Sequence, residues 1–509
     1  MFYSIFFAVI VGIWAFYLVL RKRTLKGNVI LGPKGFPLIG CVREVNEDNI
    51  CFKLTEFAET FGDIFRFKMF SDNLVVLNSQ EMIQKAFADD KYKRHFNDRA
   101  RMFYGEYFRF HNQSLGFVTE GFGMFHKVAR QQFVKAVHTY GSGLMDLERN
   151  VMKEMNLLVN RIENMPNMTF QCMDLFKRSL SNIVSLVLSG ELINDNDPDI
   201  DIFWRHVRGN DFFLSSATNS IMTSFPFLRF LPGKYGDEYR NCKQANEKIR
   251  QKYFYKLKNT YIPGKCRGLV DHYIEEQRKE MAVGGEIFFT DERIIAQIIE
   301  IVDAGISTTW SFLTNSMLVL LNHPEIQAKI QAEIDTVIGK ERSPTYSDRN
   351  NCHYLRAFEM EIHRYLTIAP FLVPHLCKDH VEFCGYDIEP KSLILANIWY
   401  VHHDKEVWGD PWTVRPERFL DEQGELLPRE HKLCKSVLAF GYGQRQCTGA
   451  MFAKTRAFLY MATLLQRWSF EFPKDMERSC DPRTPDSFDL KGIIKSKPFL
   501  CMAKKRFQQ

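Results

Sequence analysis

The sequence predicts one large, mainly helical unit with a smaller β-rich part. Helical patterns run through Met145–Gln277, Asp291–Leu321 and Ala450–Trp468. Strand patterns are short and lie before residue 80 and between residues 366 and 404. The 509 residues are 45% hydrophobic and include 44 phenylalanines, and no linker or repeat divides them. We therefore expect a single large core rather than the several domains that length alone suggests.

Charge and cysteine usage narrow the class of protein. The net charge of +6 is mild, so it gives no case for nucleic-acid binding, but it is compatible with an acidic protein partner or a membrane surface. The 12 cysteines show no regular disulfide framework, so we expect reduced and mostly buried thiols. Among them we assign a chemical role only to Cys447.

The N-terminus predicts a membrane anchor. Phe2–Leu20 is an uncharged apolar run that is long enough to cross a bilayer, and Arg21–Arg23 follow it directly. A cleaved signal peptide would need a positive start, a shorter apolar core and small residues at a cleavage site, and none is present. The basic residues after the run predict that the rest of the chain stays cytoplasmic. The sequons at Asn112 and Asn167 are then expected to remain unmodified.

The remainder of the N-terminal part predicts a hinge and two strands. We expect an anchor over residues 1–23, a basic and proline-rich hinge over 24–44, and one catalytic domain over 45–509. Two strands are predicted near Phe65–Phe70 and Leu74–Leu77, before a helix that begins near Ser79. An aromatic-rich stretch follows, whose rings either pack in the core or line an apolar cavity: Phe103, Tyr104, Tyr107, Phe108, Phe110 and Phe117.

The predicted helix over Asp291–Leu321 is unusually long, and Thr290 can cap its start. Within it, the Thr308 hydroxyl can bond to the carbonyl of Ala304 and loosen the helix there. Gly305 removes a side chain beside that opening. A small molecule such as dioxygen would then fit, with Thr308 as a proton donor; ordinary packing is the simpler alternative.

The stretch FGYGQRQCTG, Phe440–Gly449, predicts a site for a thiolate. Gly441 and Gly443 let the backbone bend so that its N–H groups point at the sulfur of Cys447. The sulfur lies at the start of the following helix, where the helix dipole favours an anion. Gly449 leaves room for a flat group against that helix. The stretch suits a thiolate metal ligand, and a buried structural cysteine in a glycine-rich turn is the simpler alternative.

The pattern FxxGxRxCxG in this stretch resembles the haem-binding loop of the cytochromes P-450. Further motifs follow the order of that family: the proline-rich segment Leu31–Gly40, AGISTT in the long helix, ExxR at Glu361 and Arg364, and Arg418 in RPERF. The resemblance implies the cytochrome P-450 fold, mainly α with a smaller β-rich region. It implies haem b (iron protoporphyrin IX) between the long central helix and the loop, with Cys447 as the iron ligand.

The resemblance also implies further residues that hold the haem. Arg130 matches the arginine of the family's WxxxR motif, in which His126 stands where tryptophan is usual. Arg99, His375 and Arg445 match positions that contact the haem propionates. Further haem contacts are implied at four positions of the two motifs, namely Phe440, Gly441, Ala304 and Gly305. Glu361, Arg364 and Arg418 are implied to form a buried structural network.

One departure concerns proton delivery. The family pattern AGx(D/E)T places an acid before the threonine, and this chain has Ser307 there. Asp303 lies one helical turn earlier on nearly the same face. It either pairs with a basic residue, feeds protons through Ser307, or binds a polar group of the substrate. We expect Thr308, Ser307 and Asp303 to be the catalytic residues.

The implied reaction is insertion of one oxygen atom from O2 into an apolar small molecule, such as a steroid, lipid or xenobiotic. NADPH–cytochrome P-450 reductase is the implied electron donor, and a small cytochrome b-type protein is a second candidate. A cationic surface near Lys432, Lys435 and Arg445 would bind the acidic reductase. Arg445 does not belong to that surface if it faces a propionate instead. The expected location is the endoplasmic reticulum membrane.

Two alternative functions stay open. One is a haem-thiolate isomerase or dehydratase, which is the second choice because the acid before Thr308 is missing. The other is a non-enzymatic haem-binding sensor or carrier.

Overall fold

The computed structural model describes residues 28–100, 102–108, 121–139, 144–194, 197 and 200–507. The predicted anchor, the start of the hinge, Phe110, Phe117 and the sequon at Asn112 lie outside the described residues. Within the described part of the chain, no helix is both long and apolar enough to cross a membrane.

The described residues are mostly helical, as the sequence predicts. The helices are α1 Ile50–Phe61, α2 Gln80–Ala88, α3 Lys93–Phe96, α4 Phe103–Phe108, α5 Met124–Thr139, α6 Leu144–Glu163, α7 Cys172–Ser189, α8 Ile202–Leu214, α9 Ser216–Ser224, α10 Lys234–Arg250, α11 Lys256–Asn259, α12 Leu269–Val283, α13 Asp291–Asn322, α14 Pro324–Val337, α15 His353–Leu366, α16 Ile398–His403, α17 Lys405–Trp408, α18 Lys432–Ser436 and α19 Ala450–Arg467. The strands are β1 Ile64–Met69, β2 Asp72–Leu77, β3 Asp98–Arg99, β4 Thr169–Gln171, β5 His375–Leu376, β6 Val381–Phe383, β7 Tyr386–Ile388, β8 Leu393–Ala396, β9 Trp468–Glu471, β10 Phe488–Asp489, β11 Lys495–Ser496 and β12 Leu500–Lys505.

In the described part of the chain, four small sheets accompany the helices. The largest has the order β1-β2-β8-β5-β3, and a second has the order β4-β12-β9. The strands β6 and β7 form one two-stranded sheet, and β10 and β11 form the other. In the largest sheet the antiparallel pair β3–β5 sets Arg99 opposite His375. The described end of the predicted hinge runs along β1, where the Cys41 amide donates to the carbonyl of Lys68 at 2.8 Å.

The long helix α13 is the centre of the packing. The Thr290 side chain caps it by accepting a hydrogen bond from the amide of Arg293 at 3.3 Å. The helix contacts α7, α8, α19 and β11, so most of its side chains are buried. The predicted bounds of this helix are confirmed, with one further residue at its end. Because α13 touches elements from both halves of the chain, it fixes the position of any group held between them.

The predicted strands near residues 64–77 and the helix after Ser79 are confirmed, and the Ser79 side chain caps α2. The stretch between residues 366 and 404, predicted as strands and turns, contains β5–β8 but ends in α16. The side chain of Asn397 caps that helix by accepting from the amide of Tyr400 at 3.2 Å. This local cap explains why helix replaces strand there.

The aromatic-rich stretch contributes core packing, one of its two predicted alternatives. The ring of Phe103 packs against Phe213 of α8 with 5.3 Å between centroids. The ring of Phe108 packs against Tyr239 of α10 at 5.0 Å. Both pairs are tilted, with interplanar angles of 39° and 46°, and their centroid distances lie in the range of favourable aromatic contacts. They join α4, α8 and α10 into one layer, and α8 in turn packs on α13.

Candidate active site

The loop before α19 has a shape that its glycines make possible. Gly443 has a φ of 74°, and a Cβ there would lie 2.2 Å from the carbonyl oxygen of Phe87. Only glycine therefore fits at this position. A short 3₁₀ turn over Gly443–Arg445 follows, and the Cys447 amide donates to the carbonyl of Phe440 at 2.7 Å. The loop delivers Cys447 to the position just before the first turn of α19.

The surroundings of the Cys447 sulfur suit a metal-bound thiolate. Burial raises the pKa of the thiol, while the Gly449 amide and the charges of Arg130, Arg456 and Lys454 lower it. The residue nevertheless keeps accessible surface on one side. A Cβ at Gly449 would lie 4.0 Å from the sulfur and meet no closer described atom, so a flat group has room there. A bound cation would complete the stabilisation of the thiolate.

The predicted hydrogen bond from Thr308 is present in α13, which runs without a break through this turn. The Thr308 hydroxyl donates to the carbonyl of Ala304 at 2.7 Å, as its spacing predicts. Ala304 is exposed and Gly305 is half-buried, whereas Asp303 and Ile306 on either side of them are buried. A Cβ at Gly305 would lie 3.6 Å from Val184, in ordinary contact. A small molecule can therefore approach α13 beside Ala304 and Thr308.

Arg456 of α19 joins the cysteine loop to this opening. Its Nη1 donates to the carbonyl of Gly305 at 2.7 Å, and its Nη2 donates to the Thr309 hydroxyl at 2.7 Å. Burial lowers the pKa of its guanidinium to about 9. The two bonds hold the helix that follows Cys447 against the turn of α13 at Gly305–Thr309. This role of Arg456 was not predicted from the sequence, because no spacing rule links positions 151 residues apart.

Three of the predicted propionate contacts lie together. Arg99 donates through Nη1 to the carbonyls of Val373 at 2.7 Å and Pro374 at 3.0 Å. Arg445 donates through Nε to the carbonyl of Asn97 at 2.9 Å. Burial and the charge of Arg445 lower the pKa of Arg99, and burial and the charge of Arg99 lower that of His375. These mutual effects indicate a buried region with an excess of positive charge.

His126 and Arg130 lie beside the same region. Arg130 donates through Nη1 to the carbonyl of Gln446 at 2.6 Å and to the Thr448 hydroxyl at 2.8 Å. His126 is 2% exposed, and among the described residues neither ring nitrogen has a hydrogen-bond partner. Burial, followed by the charges of Arg445 and Arg130, lowers its pKa to about 3.

A buried cationic region with an unsatisfied imidazole is suited to an anionic ligand. The two carboxylates of a haem are such a ligand, and the accessible cysteine beside Gly449 would supply a sulfur ligand to its iron. The residues present therefore fit this cofactor: Cys447 would hold its iron, and Arg99, His126, Arg130, His375 and Arg445 would hold its propionates.

The three predicted catalytic residues have different partners. Thr308 bonds to its own helix, whereas Ser307 Oγ lies 3.3 Å from both carboxylate oxygens of Asp211 on α8. Asp303 lies 2.6 Å from the His206 Nε2 and accepts from the Tyr104 hydroxyl at 3.3 Å. The carboxylate of Asp303 is thus paired with a basic residue, one of its predicted alternatives. Asp211 and His206 were not predicted, and Tyr104 was predicted to pack in the core or line a cavity but not to contact Asp303, because contacts between distant helices leave no local pattern.

The network predicted from ExxR and RPERF is also present. Arg364 makes a bidentate pair with Glu361 at 2.7 and 2.8 Å, and Arg418 Nε lies 3.4 Å from the same carboxylate. Arg364 also donates to the carbonyl of Pro411 at 2.7 Å. Glu361 and Arg364 have no exposed surface. Such a cluster persists only when every charge has a partner, and here each one does.

Comparison with known proteins decides the family. The sequence model of the family described as cytochrome P450 matches residues 30–498. The chain belongs to the cytochrome P450 family. A steroid 17-alpha-hydroxylase/17,20 lyase of Squalus acanthias is 27% identical over 461 residues, covering 89% of this chain and 88% of that protein. Two proteins of Mesocricetus auratus are similarly related: cytochrome P450 1A1 is 28% identical, covering 90% and 88%, and cytochrome P450 2D20 is 26% identical, covering 93% and 95%.

As a cytochrome P450, the protein is a haem-thiolate monooxygenase, and its fold is the mainly α fold with small β-sheets that the sequence predicts. Its cofactor is haem, which supplies the activation of dioxygen. Membership of the family also implies a reductase as redox partner and hydrophobic substrates. The roles of the individual residues follow as proposals.

Proposed function

We propose that this cytochrome P450 is anchored in the endoplasmic reticulum membrane and inserts one oxygen atom from O2 into an apolar small molecule. Its electrons come from NADPH through NADPH–cytochrome P-450 reductase. The observation that carries the proposal is that Cys447 and Ala304 are both exposed, while Arg456 bonds the helix after Cys447 to the turn of α13 that contains Ala304 and Thr308. We infer that one internal space lies between them, with Cys447 on one side and Ala304 and Thr308 on the other.

The residues of this space have distinct roles. Cys447 binds the iron, and Phe440, Gly441 and Gly449 shape the loop around its sulfur. Because the Thr308 hydrogen is engaged by Ala304, the Thr308 oxygen offers lone pairs to the space and orients proton donors there. Gly305 keeps the approach open. The residues around the cofactor thus orient reactants and move protons, while the redox chemistry belongs to the haem.

Membrane attachment involves two parts of the chain. Residues 1–23 form the anchor, residues 24–44 the hinge, and residues 45–509 the catalytic domain on the cytoplasmic side. Phe225, Phe227 and Phe230 are exposed around a short 3₁₀ turn, with 42%, 56% and 69% of their surface accessible. Exposed aromatic rings close together favour contact with the acyl boundary of a membrane. These three rings lie between α9 and α10 along the chain. Their contact with the membrane would place the layer formed by α4, α8 and α10 near the lipid.

The reductase binds a cationic surface that contains Lys432 and Lys435, both exposed on or beside α18. A small cytochrome b-type donor would use the same surface. Arg445 does not belong to it, because its side chain is buried and bonds to Asn97. Its position supports the propionate role instead.

The substrate is a steroid, a lipid or a xenobiotic. The printed names of the relatives include a steroid hydroxylase, which supports the first class. Isomerase or dehydratase chemistry is the second candidate, because Ser307 lacks a carboxylate of its own.

The test is reconstitution of the full-length holoprotein with reductase and NADPH, after ligand-induced spectral shifts have selected compounds from a steroid, lipid and xenobiotic panel. We expect stoichiometric consumption of NADPH and O2 with a product that is one oxygen atom heavier than the substrate. A product of unchanged mass or minus one water, formed without NADPH or O2, would instead establish the isomerase or dehydratase.

A further inference from the structure

A cysteine and a histidine from distant parts of the chain meet beyond the end of α13. His323 is the residue between α13 and α14, and Cys480 lies in the segment between β9 and β10. The Cys480 sulfur lies 3.7 Å from Nε2 of His323. Neither residue belongs to the candidate active site, so this pair is a separate feature of the molecule.

The carboxylate of Glu325 fixes the direction of the histidine ring. Its Oε1 lies 3.0 Å from Nδ1 of His323. Because a carboxylate only accepts hydrogen bonds, Nδ1 carries the hydrogen, and Nε2 of the neutral ring presents its lone pair to the Cys480 sulfur. Histidines that bind a metal are usually held in this way, with one ring nitrogen donating to a carboxylate and the other free for the metal.

The distance between the sulfur and the nitrogen matches that of two ligands on one zinc ion. Zinc binds thiolate sulfur at about 2.3 Å and imidazole nitrogen at about 2.0 Å, in a tetrahedral arrangement. Two such ligands lie about 3.5 Å apart. The observed separation of 3.7 Å between Cys480 and His323 is close to this value. The two side chains are therefore already spaced for a shared zinc ion.

The chemistry of the pair selects the class of metal. Burial, with the charge of Asp481, raises the pKa of the Cys480 thiol to about 12, so its S–H donates to Nε2 of His323. A metal has to displace this proton, which then passes to water. Ca²⁺ and Mg²⁺ prefer oxygen ligands and do not compete for a thiol, whereas zinc binds both sulfur and imidazole nitrogen.

The protein supplies two ligands here, and solvent can supply the others. In the described part of the chain, no group of three or more His, Cys, Asp and Glu side chains is placed to hold a metal. The nearby Asp481 carboxylate accepts from Arg483 at 2.6 Å. Cys480 is 7% exposed, but the side chains of His323 and Glu325 keep 28% and 62% of their surface accessible. An ion can therefore enter from the side of the histidine, and water completes its tetrahedral coordination.

We propose that Cys480 and His323 bind one zinc ion, with Glu325 orienting the histidine. The S–H bond breaks, a sulfur–zinc bond forms and the proton goes to water, with no transfer of electrons. The ion joins the end of α13 to the segment between β9 and β10. That segment already meets α13 through Asn322, whose side chain donates to the carbonyl of Arg478 at 2.9 Å. Zinc therefore strengthens an existing contact, and the site is independent of the proposed function.

The first test uses Co²⁺ as a spectroscopic substitute for zinc, because Co²⁺ bound to a thiolate gives an ultraviolet charge-transfer band. Difference spectra are recorded as Co²⁺ is added to the full-length holoprotein. We expect a band that saturates at one ion per chain, disappears when Zn²⁺ is added, and is absent in Cys480→Ser. The control Cys434→Ser changes a half-buried cysteine that bonds to the carbonyl of Leu427, and it keeps the band. No band in wild type, or the same band in Cys480→Ser, would overturn the proposal.

The second test measures zinc affinity by calorimetric titration of variants at the accessible side of the site, which do not disturb the core. His323→Gln is expected to lose zinc binding, and Glu325→Gln to bind zinc about tenfold more weakly than wild type. Mg²⁺ in place of Zn²⁺ is expected to give no binding. Equal zinc affinity in wild type and His323→Gln would show that the ion binds elsewhere and would contradict the proposal.

Hydrogen exchange tests the link between the two segments. Zinc is expected to slow amide exchange in residues 472–487 of wild type and to leave it unchanged in His323→Gln. Exchange that zinc slows equally in both proteins, or does not slow in wild type, would refute the link.

Discussion

The two sides of the internal space are built in different ways. The proximal side, which we define as the loop Phe440–Gly449 with Glu361, Arg364 and Arg418, is held by residues whose motifs mark them in the sequence. The distal side, defined as the middle of α13 with α4, α8 and β11, is held by pairs such as Ser307–Asp211, which are 96 residues apart. The first kind of site follows from local patterns, whereas the second emerges only when the helices are packed together.

The two sides also differ in how their charges are arranged. At the centre of the proximal network, Glu361 and Arg364 are fully buried, and Arg364 is bound to that carboxylate and to backbone carbonyls. On the distal side, Asp211 and Lys495 keep accessible surface. A network without access to solvent fixes geometry, while one with access can exchange protons. This difference predicts that proximal substitutions act on folding and distal ones act on the reaction.

The largest effect is expected for Arg364→Ala on the proximal side. The change leaves Glu361 buried without its bidentate partner, which costs about 3–5 kcal/mol in the free energy of unfolding. Denaturant unfolding and the amount of bound haem measure the loss. The control Arg240→Ala removes an exposed arginine paired with Asp237 and is expected to cost at most about 1 kcal/mol. Equal stability of the two variants would show that the proximal network does not hold the fold.

The distal counterpart is Thr308→Ala. The loss of one hydrogen bond is expected to cost about 1 kcal/mol of stability, while product per NADPH falls and peroxide release rises. Thr336→Ala is a matched control, because Thr336 makes the same bond to the carbonyl of Ala332 on the exposed face of α14. If Thr308→Ala lowered stability but left product per NADPH unchanged, Thr308 would have only a structural role, like the residues of the proximal side.

The smallest effect concerns His363, which lies on α15 between the rings of Phe312 and Phe440. Burial, with Lys454 and Arg349, lowers its pKa to about 3. In the unfolded chain this histidine gains a proton below its ordinary pKa of about 6.5, whereas in the folded protein it stays neutral. Stability is therefore complete above pH 6.5 and is lost as the pH falls from 6.5 toward the pKa of the folded state.

Between pH 7.5 and 6, we therefore expect the free energy of unfolding to fall further in wild type than in His363→Phe. The expected difference is less than about 1 kcal/mol. Thermal unfolding at several pH values measures the difference. Parallel pH profiles for the two proteins would mean that His363 does not titrate with folding.

Much of the proximal side could be predicted from the sequence, because its chemistry depends on fixed spacings. Gly443, Cys447 and the ExxR pair are close enough along the chain for backbone geometry to set their roles. In α13, the bond from Thr308 to Ala304 is predictable for the same reason: both residues lie on one helix. The length of α13 and its cap at Thr290 follow from local signals as well.

The distal partners could not be predicted in this way. Asp211 lies in an ordinary helical stretch, and nothing near it in the sequence indicates that its carboxylate meets Ser307. Arg456 has no motif that predicts its bonds to Gly305 and Thr309. The positions of these side chains depend on how α8, α13 and α19 cross, which is a property of the packed core.

The central claim is that Cys447 is the thiolate ligand of the haem. The most direct measurement is the absorption spectrum of the reduced carbon monoxide complex of Cys447→Ser, with Cys266→Ser as a control that changes an exposed cysteine elsewhere. The account predicts that the thiolate-type band is lost in Cys447→Ser, because a neutral hydroxyl is a far poorer donor to iron, and is retained in Cys266→Ser. Persistence of that band in Cys447→Ser would show that another residue binds the iron.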